Sequence, residues 1–246
     1  MQIKDFHNKH KGKLAFVLGS GPSLHFEKLE GIERYVSFAV NTAILKLKTA
    51  DYFVTNDSSV TDWDYFLHSL PKLKGTVFMP SDPLVKFDHH FDKQKSCFYD
   101  HKFTYDLQKR NVASVSFELT EDPEQPIIGV GSSSCTAVHI AHIMGCNPIV
   151  LLGVDCCYIT DRHYFWQFPG EAKPKRIKGV PFPTRKQLIK NKTVDDHNRE
   201  ILEHWNTFGR CNPHANVINA STQGLVDCIP KMSYGDVIAR YGALTK

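Results

Sequence analysis

The sequence predicts an α/β protein with a Rossmann-like, mainly parallel sheet flanked by helices. Short apolar runs alternate along the chain with stretches of helical spacing, as strand–helix units require. The first apolar run ends in a glycine-rich turn, and no break in composition divides residues 1–246 into two domains.

In chain order, the strand candidates are Leu14–Leu18, Tyr35–Val40, Asp51–Thr55, Gly75–Met79, Pro148–Leu152 and, more weakly, Asn216–Asn219. Leu14–Leu18 is a short apolar run closed by Gly19, and Pro148–Leu152 is bounded by Gly145 and Gly153. Helical patterns fall between them at Thr42–Lys48, Thr61–Leu70, Ser132–Met144 and Asp195–Phe208. Ser132–Met144 has Ala137, His139–Ala141 and Met144 as its apolar stripe, with Gly145 as a stop. Asp195 or Asp196 is the expected N-cap of the last helix, and Gly209 its terminating glycine. The stretch from Cys156 to Thr193 has little periodicity and four prolines, and reads as a mobile, lid-like insertion at 156–193.

Composition bounds the function classes. No apolar run approaches the roughly 18 residues that span a bilayer. The charged N-terminus, MQIKDFHNKHKGK, lacks the apolar core of a signal peptide, which predicts a cytoplasmic protein. The seven scattered cysteines contain no CxxC pair and read as free thiols rather than as a disulfide framework or zinc site. Net charge is +4, yet Lys173–Lys192 holds eight basic residues and no acidic one. Such a block suits an anionic partner, with Lys175, Arg176 and Arg185 as candidate phosphate or acceptor contacts. A solvated basic loop is the plainer alternative.

Polar motifs follow the predicted strands. Gly19-Ser20-Gly21-Pro22-Ser23 supplies glycines for close backbone approach and a helix start whose N–H groups suit an anion. It is neither the three-glycine dinucleotide fingerprint nor a P-loop, because no lysine follows. Asn41 ends the second strand, and Asn56-Asp57 the third, on the same sheet edge. Ser132 and Ser133 open the strongest helix, and Asp155 follows the fifth strand, where an acid suits a ribose or substrate hydroxyl. Tyr158, His163 and Tyr164 come next, and His197 lies at the start of the late helix, where an imidazole can serve as general base. His139 and His142 stand three apart on a helix with no evident third metal ligand and are taken as helix residues.

In series, VLGSGPSL, FAVN, TNDSS, GSSS, LLGVDCCY and the closing VINASTQGLVDCIPKMSYGDV resemble two related groups from about Leu14 to Val237. One is the bacterial sialyltransferases of glycosyltransferase family 42. The other is the 6-hydroxymethylpterin diphosphokinase MptE-like superfamily, which includes the motility-associated factor glycosyltransferases. The first resemblance implies transfer of sialic acid from CMP-sialic acid. It assigns nucleotide reading to Asn41, donor contacts to Ser132 and Ser133, leaving-phosphate support to Tyr158 and Tyr164, and the general base to His197. This chain carries Ser20 where that family usually has asparagine. The second resemblance implies ATP and Mg²⁺, held by acid-rich motifs at positions that read AVNT and TNDSS here.

The combined expectation is a glycosyltransferase using a nucleotide-activated sugar, CMP-sialic acid or a related nonulosonate. Its acceptor is an anionic glycan or lipid-linked sugar, and no cofactor is required, although Mg²⁺ is compatible. Peripheral membrane association and a homo-oligomer are compatible partners of this reading. The alternatives are an ATP/Mg-dependent pyrophosphokinase and a non-catalytic nucleotide- or nucleic-acid-binding module that uses the basic block.

Overall fold

The computed structural model describes residues 1–57, 60, 63–69, 73, 75–81, 95–103, 105–106, 111–112, 117–129, 132–177 and 194–246. The strands are β1 (Ala15–Leu18), β2 (Val36–Val40), β3 (Tyr52–Val54), β4 (Thr76–Pro80), β5 (Ser96–Tyr99), β6 (His101–Phe103), β7 (Tyr105–Asp106), β8 (Asn111–Val112), β9 (Ile127–Gly129), β10 (Ile149–Leu152) and β11 (Val217–Asn219). The α-helices are α1 (Asp64–Ser69), α2 (Ser133–Ile143), α3 (Val194–Cys211) and α4 (Tyr234–Tyr241).

Seven strands form one sheet in the order β11-β10-β1-β2-β3-β4-β5. Every neighbouring pair in it is parallel. The chain builds outward from β1 to β5, then returns to place β10 on the other side of β1. The strand order therefore reverses between β1 and β10, and ligands of open α/β sheets bind outside the carboxyl ends at such a point.

The unbroken apolar strands follow from burial on both faces. Along β1, Ala15 and Val17 point into one core, with Val138, Ala141 and Trp205, while Phe16 and Leu18 point into the other, with Phe53, Phe66 and Phe165. Six predicted strands match six of the seven in this sheet. β5 was not expected, because SCFY is short and lies in a polar stretch. Thr42–Lys48 is a 3₁₀ turn, Asn41–Leu45, and the turn after Gly21 is likewise only a 3₁₀ turn, Pro22–His25, rather than an α-helix start. α3 begins at Val194 and runs through Gly209 to Cys211, so neither the predicted cap nor the predicted stop holds. A Cβ on Gly209 would meet the Cys228 side chain and carbonyl at 3.0 Å, so close packing explains this glycine. α4 was missed, although Ser233 caps it by accepting the Asp236 N–H.

α2 is buried around most of its circumference, which explains why it carries little amphipathic signal. His139, fully buried on it, accepts the Ile128 N–H at Nδ1 (2.9 Å) and donates from Nε2 to the Thr120 carbonyl (3.1 Å). It is thus a structural residue that holds β9 and the preceding loop against the helix. Burial pulls its pKa down to about 4 from 6.5. The unfolded chain therefore binds more protons between these values, and the stabilisation is complete above the unfolded pKa and is lost as pH falls toward the folded one. His10, His142, His163 and His197 shift in the same sense, each mainly through burial. Urea unfolding at pH 7.5 and pH 5 should differ by roughly 2 kcal/mol from His139 alone, with the protein weaker at pH 5. Equal midpoints at the two pH values would contradict this account of His139.

Candidate functional site

A cleft of about 470 Å³ lies at the carboxyl edge of the sheet, over the β1/β10 switch point. That volume suits a nucleotide-sized ligand.

Its floor is made by two interlocked turns. Gly19 N–H donates to the Leu152 carbonyl (2.7 Å) and Gly21 N–H to that of Gly153 (2.8 Å). A Cβ on Gly19 would collide with the Gly153 carbonyl, and one on Gly153, whose φ is +66°, would lie 2.7 Å from the Gly19 carbonyl. The glycines are thus required by the approach of one turn to the other. Asp155, only 2% exposed, accepts the Ser23 N–H (2.7 Å) and the Ser23 hydroxyl (2.6 Å). Burial raises its pKa despite these bonds. The expected anion seat at Ser23 is therefore filled by the protein's own carboxylate, and Asp155 is engaged in holding the turn. Neither Gly19 nor Ser23 lines the cleft, whereas Ser20, Gly21, Pro22 and Asp155 do.

The second wall is the N-terminus of α2. Ser132, Ser133 and Ser134 all line the cleft. As the first helical residues, Ser133 and Ser134 have N–H groups without intrahelical acceptors, which favours an anion there. Ser132 is extended and makes no side-chain cap bond. Asn56 is spent on scaffolding, contrary to its expected role in reading base or ribose. Its N–H donates to Ser133 Oγ (2.8 Å), its Nδ2 to Thr136 Oγ1 (2.7 Å), and its Oδ1 accepts from the Tyr99 hydroxyl. Asp57, beside it, is exposed at the cleft mouth. Asn41 has a left-handed φ of +51°, and its Oδ1 is buried with no hydrogen-bond partner among the described residues. Ser20 Oγ donates to the Val40 carbonyl (3.1 Å), tying the first turn to the end of β2.

The third wall comes from the expected insertion and from α3. Residues 156–177 are anchored by aromatic side chains. Phe165, Trp166 and Phe168 are buried, and the Phe165 N–H donates to the Ser20 carbonyl (3.2 Å). Glu171 Oε1 receives Lys46 Nζ (2.6 Å) and His25 Nδ1 (2.8 Å). Residues 178–193, including Arg185, lie outside the described residues. Tyr164 lines the cleft and stacks on Trp166 at 5.1 Å, and burial pushes its phenol up to about 12, so it remains protonated at neutral pH. Tyr158 is not a lining residue; its hydroxyl is buried and its ring leans on His163. His197 stands exposed at the rim on the first turn of α3, where partial desolvation lowers its pKa against the opposing pull of Glu200 and Asp57. Asn198, the next residue, also lines the cleft.

A family model described as 6-hydroxymethylpterin diphosphokinase MptE-like matches residues 1–161, well over half of the chain. The chain belongs to the MptE-like family. Among solved structures, this MptE-like protein resembles one described as a MAf glycosyltransferase from Magnetospirillum magneticum AMB-1, with a TM-score of 0.50 and 16% identity. The match covers 99% of this chain and 40% of that one, so the chain spans well under half of that neighbour's length, and the likeness concerns the fold. No curated protein matches it in sequence.

The family match ends before His163, Tyr164 and α3, so part of the MptE-like cleft is built by residues beyond it. The fold gathers Ser20, Gly21, Pro22, Asn41, Asn56, Asp57, Ser132, Ser133, Asp155, Tyr164 and His197 around one space. It does not bring Lys175 or Arg176 there. Lys175 exchanges hydrogen bonds with Asp64, and the Arg176 guanidinium sits over the Trp63 ring, so both brace α1. Sequence reasoning noted Ser134 in the GSSS motif and His163 beside Tyr164 without giving either a role, and it overlooked Asn198 and Trp205 as lining residues. Asn198 and Trp205 carried only the period of α3, and His163 was one histidine among 13.

Proposed function

We propose that the cleft binds a nucleotide-activated sugar and transfers the sugar to an acceptor hydroxyl. The observation that carries this is the split polarity of one cleft: helix N–H donors of Ser133 and Ser134 on one wall, and near the other the buried Asn41 Oδ1, which has no partner among the described residues. A nucleotide sugar is complementary to both, since its phosphate accepts while its hydroxyls and base amino groups donate. The likeness in fold to a MAf glycosyltransferase supports the reading.

On this proposal the donor phosphate lies at the α2 N-terminus, and Asn41 reads the nucleoside. His197 takes the proton as the acceptor oxygen bonds to the anomeric carbon. The bond from that carbon to the phosphate oxygen breaks, and the Tyr164 phenol donates a hydrogen bond to the leaving phosphate. CMP is the expected nucleotide, and sialic acid or a related nonulosonate the expected sugar. The remaining basic block, largely outside the described residues, suits an anionic acceptor and association with an anionic membrane surface.

The family's description favours a second reading, an ATP- and Mg²⁺-dependent pyrophosphokinase. The cleft carboxylates among the described residues are Asp57 and Asp155, and Asp155 is occupied with Ser23. With Asp155 engaged in the turn, Asp57 by itself is a poor fit to the paired acids expected for such a metal.

A thermal-shift series with CMP, UDP, GDP and ATP–Mg²⁺ separates the two. Selective stabilisation by CMP is expected, since a ligand at 100 times its Kd contributes about 2.7 kcal/mol. Stabilisation by ATP–Mg²⁺ alone would replace the transferase reading with the pyrophosphokinase one.

A further inference from the structure

His163 lies in a chain segment whose backbone is closed around one amide. Gln167 Oε1 accepts both the His163 N–H (2.6 Å) and the Tyr164 N–H (3.0 Å). The imidazole is held between Tyr164, edge-on at 4.3 Å, and Tyr158 at 5.1 Å. Its Nε2 is 2.9 Å from Oδ1 of Asn198, a residue only 8% exposed on the first turn of α3. An amide oxygen can only accept, so the hydrogen resides on Nε2. A neutral imidazole has one N–H, and Nδ1 therefore carries a lone pair. Nδ1 has less than 1 Å² of exposed surface and no hydrogen-bond partner among the described residues. Buried acceptors left without donors are rare and costly, and they call for a cause. Burial and the nearby His197 keep the ring in its neutral form, the one that has this lone pair.

We infer that His163 is a specificity-determining residue: its Nδ1 accepts a hydrogen bond from a hydroxyl or N–H group of the bound nucleotide sugar, and Asn198 is the positioning residue that keeps hydrogen off Nδ1. The inference rests on the nucleotide-sugar reading of the same cleft. A bare phosphate carries no donor and leaves Nδ1 unanswered, so this residue selects for the sugar or the base. Asn41 Oδ1 makes the same demand, so the cleft recognises a ligand that brings at least two donors.

Two measurements test this. Long-range ¹H–¹⁵N correlation on the full chain should show His163 as the Nε2–H tautomer, and Asn198→Leu should mix the tautomers. Calorimetric titration with CMP-N-acetylneuraminate should then show binding weakened roughly 5- to 100-fold in His163→Phe, which keeps a ring but loses the acceptor. His163→Asn, whose amide oxygen can stand where Nδ1 stood, should retain more affinity than His163→Gln, a difference that general loosening would not produce. An Nδ1–H tautomer in the wild type, or unchanged affinity in His163→Phe, overturns the inference alone. A wild-type protein that does not bind the probe overturns the nucleotide-sugar reading and this inference with it.

Discussion

Gly19→Ala should cost about 3 kcal/mol or more and leave a large part of the population unfolded or without a formed cleft. The new methyl group would collide with the Gly153 carbonyl and crowd Val154 Cγ2 at 3.0 Å. The carbonyl cannot move away cheaply, because it already accepts the Gly21 N–H. Relief requires parting β1 from β10, neighbouring interior strands of the sheet, whose register runs from Ala15–Ile149 to Leu18–Leu152. A domain of this kind has only about 5–15 kcal/mol of total stability, so the loss is a large fraction of it. Gly170→Ala is the control. Gly170 has φ +84° and nothing within 4 Å of a built Cβ, so its cost is only that of left-handed backbone. That is about 1–2 kcal/mol. Urea midpoints measure both, and a Gly19→Ala protein as stable as Gly170→Ala would refute the interlocked-turn account.

His197→Ala is expected to lower kcat for sugar transfer by about 10²- to 10⁴-fold, the range of a lost general base. Nucleotide affinity should remain nearly unchanged, because His197 stands at the exposed rim while the proposed phosphate seat is the α2 N-terminus. The pH profile adds a second check. Desolvation lowers the His197 pKa, with Asp57 and Glu200 pulling it back up. The base is the neutral ring, so activity should stay high at neutral pH and fall only as pH drops below the ordinary histidine value. Turnover unaltered in His197→Ala, measured with saturating donor and acceptor, would remove His197 from the chemistry.

Much of the fold was legible in the sequence because buried parallel strands are written as short apolar runs. AFVL, VSFAV and IVLL need no partner to be recognised. The polar residues after these runs were legible for the same reason: every strand in a parallel sheet ends on the same edge. Asn41 and Asp57 therefore had to share one rim, as they do, and the Ser132 helix start joins them there. Elements without such a period were lost. β5 is a four-residue strand in a polar stretch, and the 156–177 segment looked irregular because isolated aromatics, Phe165, Trp166 and Phe168, anchor it rather than a repeat.

What the tertiary structure alone decided is which polar groups are already spent. The composition of the Gly19–Ser23 turn suits a phosphate equally well whether or not Asp155, 132 residues away, fills its donors. Likewise, nothing local to Asn56 reveals that Thr136 and Tyr99 occupy both ends of its amide. The sequence by itself determined six of the seven strands of the sheet and the common edge of Asn41 and Asp57, because these follow from period and chain order. Hydrogen-bond partnership between distant segments depends on how the chain closes. Only that closure withdrew the glycine turn from the two candidate anion sites, leaving the α2 N-terminus, and brought His163 against Asn198.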